Sequence, residues 1–171
     1  MNAKKRLLWL ALLGLFILVL IGGWFFFNTP KHSTTDQVEL KDDPQAVNYD
    51  TKMKKPSNYD ATQLVFPGYD EITVSEGAEK AYVALANPEF NKASFKFIIS
   101  YGENNEVLME TGLVKPGKAV NEFPLPKALK PGHYQLKMKI EAFDLTTQQQ
   151  LNGASTSVDL VVVEKGSNSK K

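Results

Sequence analysis

The stretch "ALKPGHYQLKMKIEAFD", residues 128–144, decides the fold. Lys-Pro-Gly marks a turn, because proline presets φ at one corner and glycine accepts the next. Tyr134, Leu136, Met138, Ile140 and Ala142 then alternate with Gln135, Lys137, Lys139 and Glu141. Successive side chains of a strand point to opposite faces, so this is a strand with one packed face and one wet face.

The same grammar extends outward on both sides. "EITV" offers a first strand around residues 72–74, reached through Pro67-Gly68, and "KAYVALANPEFN" a second that Asn87-Pro88 stops. "SFKFIISY" sets Phe95, Phe97, Ile99 and Tyr101 on one face. A "GENN" turn leads into "EVLMETGLV", Pro116-Gly117 into "KAVNEFPL", and "STSVDLVVVE" closes the series. About seven short strands with turns every 8–12 residues and no helical period predict an all-β body, an immunoglobulin-like antiparallel β-sandwich over residues 64–164. Tyr134, just past a Pro-Gly turn at the start of a late strand, suits a tyrosine corner. The chain has no cysteine, so no disulfide or thiolate-bound metal contributes. Phe95, Phe97, Ile99, Leu136, Met138, Ile140, Val158, Leu160 and Val162 are the expected core, at about 1.5–3 kcal/mol for each buried side chain.

A different pattern precedes this body. Lys4, Lys5 and Arg6, within the basic stretch 1–6, lead into an unbroken apolar run at residues 7–27. As a helix rising about 1.5 Å per residue, that run is long enough to cross a ~30 Å hydrocarbon core. It ends in Trp24 and three phenylalanines. Bulky aromatics suit an interfacial belt, with Trp9 near the opposite face, and do not suit a signal-peptidase site. The expectation is one uncleaved transmembrane signal anchor, its basic end cytoplasmic and everything beyond it extracytoplasmic. The alternative is a secreted domain released by cleavage.

Residues 28–63 are polar and rich in turn formers, and read as a flexible linker. Asp42 and Asp43 belong to it as hydrated acids. Residues 165–171 read as a frayed tail.

Composition narrows the function. The net charge is +1, and residues 64–163 hold 12 acids and 9 bases, a net of −3. Nucleic acid is not the expected partner. His32 and His133 are the two histidines, and neither has metal-ligand spacing or a nucleophile motif around it. No catalytic residue, cofactor or metal site is expected. The enzyme alternative is a wall-glycan hydrolase built on Glu103, Glu106 and Glu110, because glycosidases need a carboxylate pair. Lys137 and Lys139 read as the solvated face of their strand. The binding candidates lie in turns rich in aromatic and polar residues: Tyr69 in "FPGYDE", Phe90 in "NPEFN" and Asn152 in "LNGAS". Asn91 and Gly153 fit equally a purely structural need of tight turns.

Through "PGYDEITV", "NPEFNKASFKF", "TGLVKPGKAVNEFPLPKALKPGHY" and "LNGA", residues 67–163 resemble uncharacterised single-pass membrane-anchored proteins of Gram-positive bacteria. The resemblance implies an extracytoplasmic β-sandwich behind a membrane span, and no activity. The whole reading is a non-catalytic binding or assembly module of the cell envelope, linked to secretion or conjugation. Its partners would be the bilayer and another envelope protein or wall polymer.

Overall fold

The computed structural model describes residues 40–60 and 62–166. The basic stretch 1–6 with Lys4, Lys5 and Arg6, the apolar run 7–27 with Trp9 and Trp24, the first part of the linker, and most of the tail lie outside the described residues. Among the described residues no helix is long and apolar enough to cross a membrane.

The described chain is all-β, and its strands form two sheets in a sandwich-like arrangement. They run β1 (Val47–Asn48), β2 (Glu71–Ser75), β3 (Lys80–Asn87), β4 (Ala93–Tyr101), β5 (Glu106–Glu110), β6 (Lys118–Pro124), β7 (Gly132–Asp144) and β8 (Gln150–Val163). One sheet has the order β1-β6-β3 and the other β2-β8-β7-β4-β5. Strands β2 to β8 are those that alternation marks. β1 is additional.

Pairing between the named strands is antiparallel except at one place. β2 runs parallel to β8, from Glu71 opposite Asp159 to Ser75 opposite Val163. The expected wholly antiparallel sandwich is therefore corrected to one antiparallel and one mixed sheet. The first and last of the marked strands lie side by side, and no short hairpin joins them to impose opposite directions.

The core sits where the two sheets face. All nine expected core residues are buried, and Ala81, Leu85, Val120 and Phe123 meet them from the smaller sheet. Phe66 stacks on Phe95 with centroids 5.1 Å apart. Phe97 meets Phe95 edge-on at 6.2 Å. The wet face of β7 behaves as its sequence implies. Lys96 on β4 lies opposite Glu141 on β7, Lys96 pairs with Glu110, and Lys139 pairs with Glu141 at 2.7 Å. Charges of both signs neutralise one another locally, as on an ordinary solvated sheet face.

Tyr134 closes its corner: the hydroxyl donates to the Lys130 carbonyl at 2.9 Å. Of the Pro-Gly pairs, Pro116-Gly117 takes the expected turn geometry. Gly117 has φ +73°, and the Lys118 N–H reaches the Lys115 carbonyl at 3.1 Å.

The stretch read as the last part of the linker is attached to the body from residue 40. Leu113 N–H donates to Lys41 O at 2.8 Å, Asp43 N–H to Leu113 O at 2.9 Å, and Tyr49 N–H to Gly117 O at 2.9 Å. Asp43 Oδ2 accepts the Gly112 N–H at 2.7 Å, and Asp42 pairs with Lys115. A Cβ on Gly112 would lie 2.8 Å from Asp43 and Lys41 backbone atoms, so only glycine lets the strap lie this close. Backbone hydrogen bonds carry this attachment, and they leave no apolar period in the sequence. Asp42 and Asp43 therefore act as local staples.

Candidate functional site

The three candidate binding residues have three different surroundings. Tyr69 is half-buried along the outer edge of β3. Its hydroxyl donates to Ala84 O at 3.1 Å and accepts from Ala86 N–H at 3.4 Å. Pairing of β3 with β6 is interrupted there, because Val83 and Ala84 fall between the partners of Glu122 and Val120. The phenol thus fills hydrogen-bonding positions that an edge strand exposes. Desolvation is the largest influence on that hydroxyl and raises its pKa well above tyrosine's ordinary value.

Phe90 sits in the turn between β3 and β4, covered by Tyr59 from the segment after the strap. Its ring meets Tyr59 edge-on at 5.4 Å, the Tyr59 hydroxyl donates to Phe90 O at 3.0 Å, and the Lys55 ammonium lies 4.9 Å from the Tyr59 ring centre. Asn152 is exposed on β8. It belongs to a bulge, since Ile140 pairs with Ala154 and Ala142 with Leu151, leaving Asn152 and Gly153 opposite Glu141. A Cβ on Gly153 would lie 2.2 Å from the Ile140 carbonyl oxygen. The glycine is needed for a close backbone approach inside a strand, and the expected tight turn at "LNGAS" is instead part of β8. No hydrogen bond or ring contact joins any two of Tyr69, Phe90 and Asn152.

The "NPEFN" turn contains a buried polar knot. Asn87 is fully buried and Asn91 nearly so. Asn87 Nδ2 donates to Ala93 O at 2.8 Å and to Val114 O at 2.9 Å. Asn91 Nδ2 donates to Asn87 Oδ1 and to Val65 O, each at 2.9 Å, and Asn91 Oδ1 accepts the Val65 N–H at 3.0 Å. Two amides thereby tie together three segments far apart in sequence. Among the described residues no buried side-chain polar atom lacks a partner.

The catalytic possibilities raised by the sequence are also placed. His133 and Asp144 stand near opposite ends of β7, about 35 Å apart at ~3.3 Å per residue, so they do not form a dyad. Asp144 instead caps the following turn. Its Oδ1 accepts the N–H groups of Thr147 (2.7 Å) and Thr146 (2.9 Å) and the Thr147 hydroxyl (3.0 Å). Those bonds, the Thr147 N–H first, hold its carboxyl below the usual carboxylate range. Glu110 is engaged by Lys96, Glu106 is exposed on β5 opposite Tyr101, and Glu103 lies in the turn between β4 and β5. Among the described residues no group of three His, Asp or Glu side chains is arranged to hold a metal ion.

A shallow concavity of about 350 Å³ opens beside Glu103, lined by Tyr101, Gly102, Tyr134, Gln135 and Lys137. The two tyrosine rings lie 6.1 Å apart. Alternation assigns both rings to the packed face, and they are half-buried because each ends its strand next to a glycine turn. That adjacency is the sequence signal for a partly open aromatic pair. Compared with protein families, curated proteins and solved structures, the chain finds no match in any of the three.

Proposed function

We propose that the protein is a membrane-tethered, extracytoplasmic binding or assembly module of a Gram-positive cell envelope, acting by non-covalent contact. The observation that carries this reading is the basic triad Lys4, Lys5 and Arg6 followed by the apolar run 7–27, ahead of an all-β body. A run of that length and composition suits a bilayer span, and the lysine-arginine asymmetry sets the body outside. We assign the body to the immunoglobulin type. The order β2-β8-β7-β4-β5 opposite β6-β3 supports this, as does the Tyr134 corner on the penultimate strand. Partner contact then falls on surfaces that packing leaves free, of which Asn152 and the Tyr101–Tyr134 concavity are the nearest to the sequence candidates.

Fractionation of cells expressing the full chain tests the tether. Full-length protein is expected in the membrane fraction and sensitive to protease added outside intact cells. Recovery of full-length chain from the cytosol, or of a product beginning beyond residue 27, overturns the reading. Crosslinking in intact cells followed by mass spectrometry then identifies the envelope partner.

A further inference from the structure

A sheet edge exposes unpaired N–H and C=O groups, and proteins defend such edges with charge, proline, bulges or cover. Most edges here carry a defence. β3 is bulged and capped by the Tyr69 hydroxyl. β5 has five residues, a bulge at its own Leu108, and Glu106 and Glu110. β1 has two residues. β8 differs. β2 covers it only from Asp159 to Val163, so residues 150–158 have β7 on one side and, among the described residues, no strand on the other. That stretch, "QLNGASTSV", contains no charge and no proline. Its residues up to Ser157 are exposed, apart from half-buried Ala154. β7 is itself paired with β4 from Leu136 to Asp144, so the open edge belongs to a strand firmly backed on its inner side.

We propose that residues 154–158 of β8 pair antiparallel with the same residues of a second copy, joining two five-stranded sheets into one. The argument for a second copy is electrostatic. A two-fold contact sets the stretch against its own reversed copy, so an edge of one charge sign would place like charges opposite each other. β5 would oppose glutamates in this way, whereas residues 154–158 oppose only small, hydroxyl and aliphatic side chains. The ends of the stretch fix the register. The Asn152–Gly153 bulge interrupts the ladder on one side, and Asp159 beside Glu71 closes it on the other. Five residues remain, centred on Thr156. Thr156 then faces its own mate, Ser155 faces Ser157, and Ala154 faces Val158. Every pair keeps both members on the same face of the joined sheet. Hydroxyl side chains directly opposite one another add cross-strand hydrogen bonds. A ladder this short is weak alone, and tethering both copies to one surface raises their effective concentration. The pairing rests on the reading of the chain as a binding module and does not require the membrane tether.

The chain lacks cysteine, so single introduced thiols report the register directly. With full-length protein in detergent, mild oxidation of Thr156→Cys should give a band at twice the chain mass. Directly opposite residues have Cα atoms about 4.5–5.5 Å apart, within disulfide reach. Ser155→Cys, which faces Ser157 and stands diagonally about 7–8 Å from its own equivalent, beyond disulfide reach, and Val107→Cys on β5 should stay monomeric. Light scattering should find two chains per particle for the unmodified protein and one for the doubly substituted Ser155→Lys, Ser157→Lys chain, with unchanged circular dichroism. One chain per particle throughout without a Thr156→Cys dimer overturns the proposal. So does equal crosslinking at residues 155 and 156, or a two-chain particle that survives the lysines. Loss of the membrane fraction with these results intact would sink the tether alone.

Discussion

Residues 87–91, Asn-Pro-Glu-Phe-Asn, and residues 151–155, Leu-Asn-Gly-Ala-Ser, read alike in one dimension and finish in opposite environments. The first places two asparagine amides inside the molecule, where they bind the backbone of Val65, Ala93 and Val114. The second lies on a strand whose far side is open. The difference comes from what each segment crosses. At residues 87–91 the end of β3, the start of β4 and the segments around Val65 and Val114 converge, and buried peptide groups there take side-chain partners. At residues 151–155 the backbone is already paired on one side and meets water on the other, so its polar side chains have nothing to bind. Polarity in a turn-like stretch therefore signals either internal wiring or an external surface, and only the neighbours decide which.

The sharpest way to break this comparison is Asn87→Ala. It removes two donors from buried carbonyls and one acceptor from Asn91. Buried groups left unpaired cost about 1–3 kcal/mol each before relaxation. The expected loss is about 2–4 kcal/mol by urea denaturation, among the larger effects of a single substitution. Stability within about 0.5 kcal/mol of the unmodified chain would mean that the knot is not wiring but surface.

Gly153→Ala comes next and probes the other segment. The added methyl group meets Ile140 O at 2.2 Å, so β8 must shift away from β7. Overpacking of this kind costs about 1–3 kcal/mol. Amide exchange should accelerate at residues 150–156 while residues 87–91 stay protected. Uniform acceleration over both segments would show that they are not independent.

Much of this was legible in the sequence, and the reason is period. Strands β2 to β4 and β6 to β8 bury side chains against the core, so their apolar positions mark them and the nine core side chains follow, whereas β5 buries none and is marked by the turn before it. Tyr134 was legible because its corner needs only one residue beside a Pro-Gly turn. The strap over residues 40–49 was not. It attaches through backbone atoms and through Asp43 and Gly112, which are as common in linkers as in staples. The parallel pairing of β2 with β8 was hidden for a related reason: strand direction is set by the path between strands and leaves no trace in alternation. Tyr69 and Phe90 were read as binding candidates in turns. Sequence alone does not say that one caps an edge strand and the other packs under Tyr59.

Tyr69→Phe separates capping from contact. The ring stays and the hydroxyl goes, leaving Ala84 O and Ala86 N–H without their partner, at a cost of about 1–2 kcal/mol. The pH dependence is the more specific readout. Burial raises the phenol pKa in the fold, so folding favours the neutral form. The resulting stability is fully present below the unfolded tyrosine value of about 10 and is lost as pH rises beyond it. The unmodified protein should weaken with alkali more steeply than Tyr69→Phe. Parallel curves between about pH 9 and 11 would remove Tyr69 from the interior.

The smallest expected effect is at Asp144, beside the open edge. Its carboxylate gathers the Thr146 and Thr147 N–H groups at the half-exposed end of β7, and these bonds lower its pKa. A depressed carboxylate contributes stability above its unfolded value of about 3.9, and that contribution disappears as pH falls through the folded value. Asp144→Asn keeps the shape and loses the charge, so the two proteins should differ modestly at neutral pH. The gap should close in acid, where both side chains are neutral. The Asp144 N–H, which donates to Gln149 O at 2.9 Å, should exchange faster in the variant while Asn87 and Asn91 keep their protection. A gap that widens in acid would mean that the charge opposes the turn. The hairpin leading into β8 would then be held by its backbone alone.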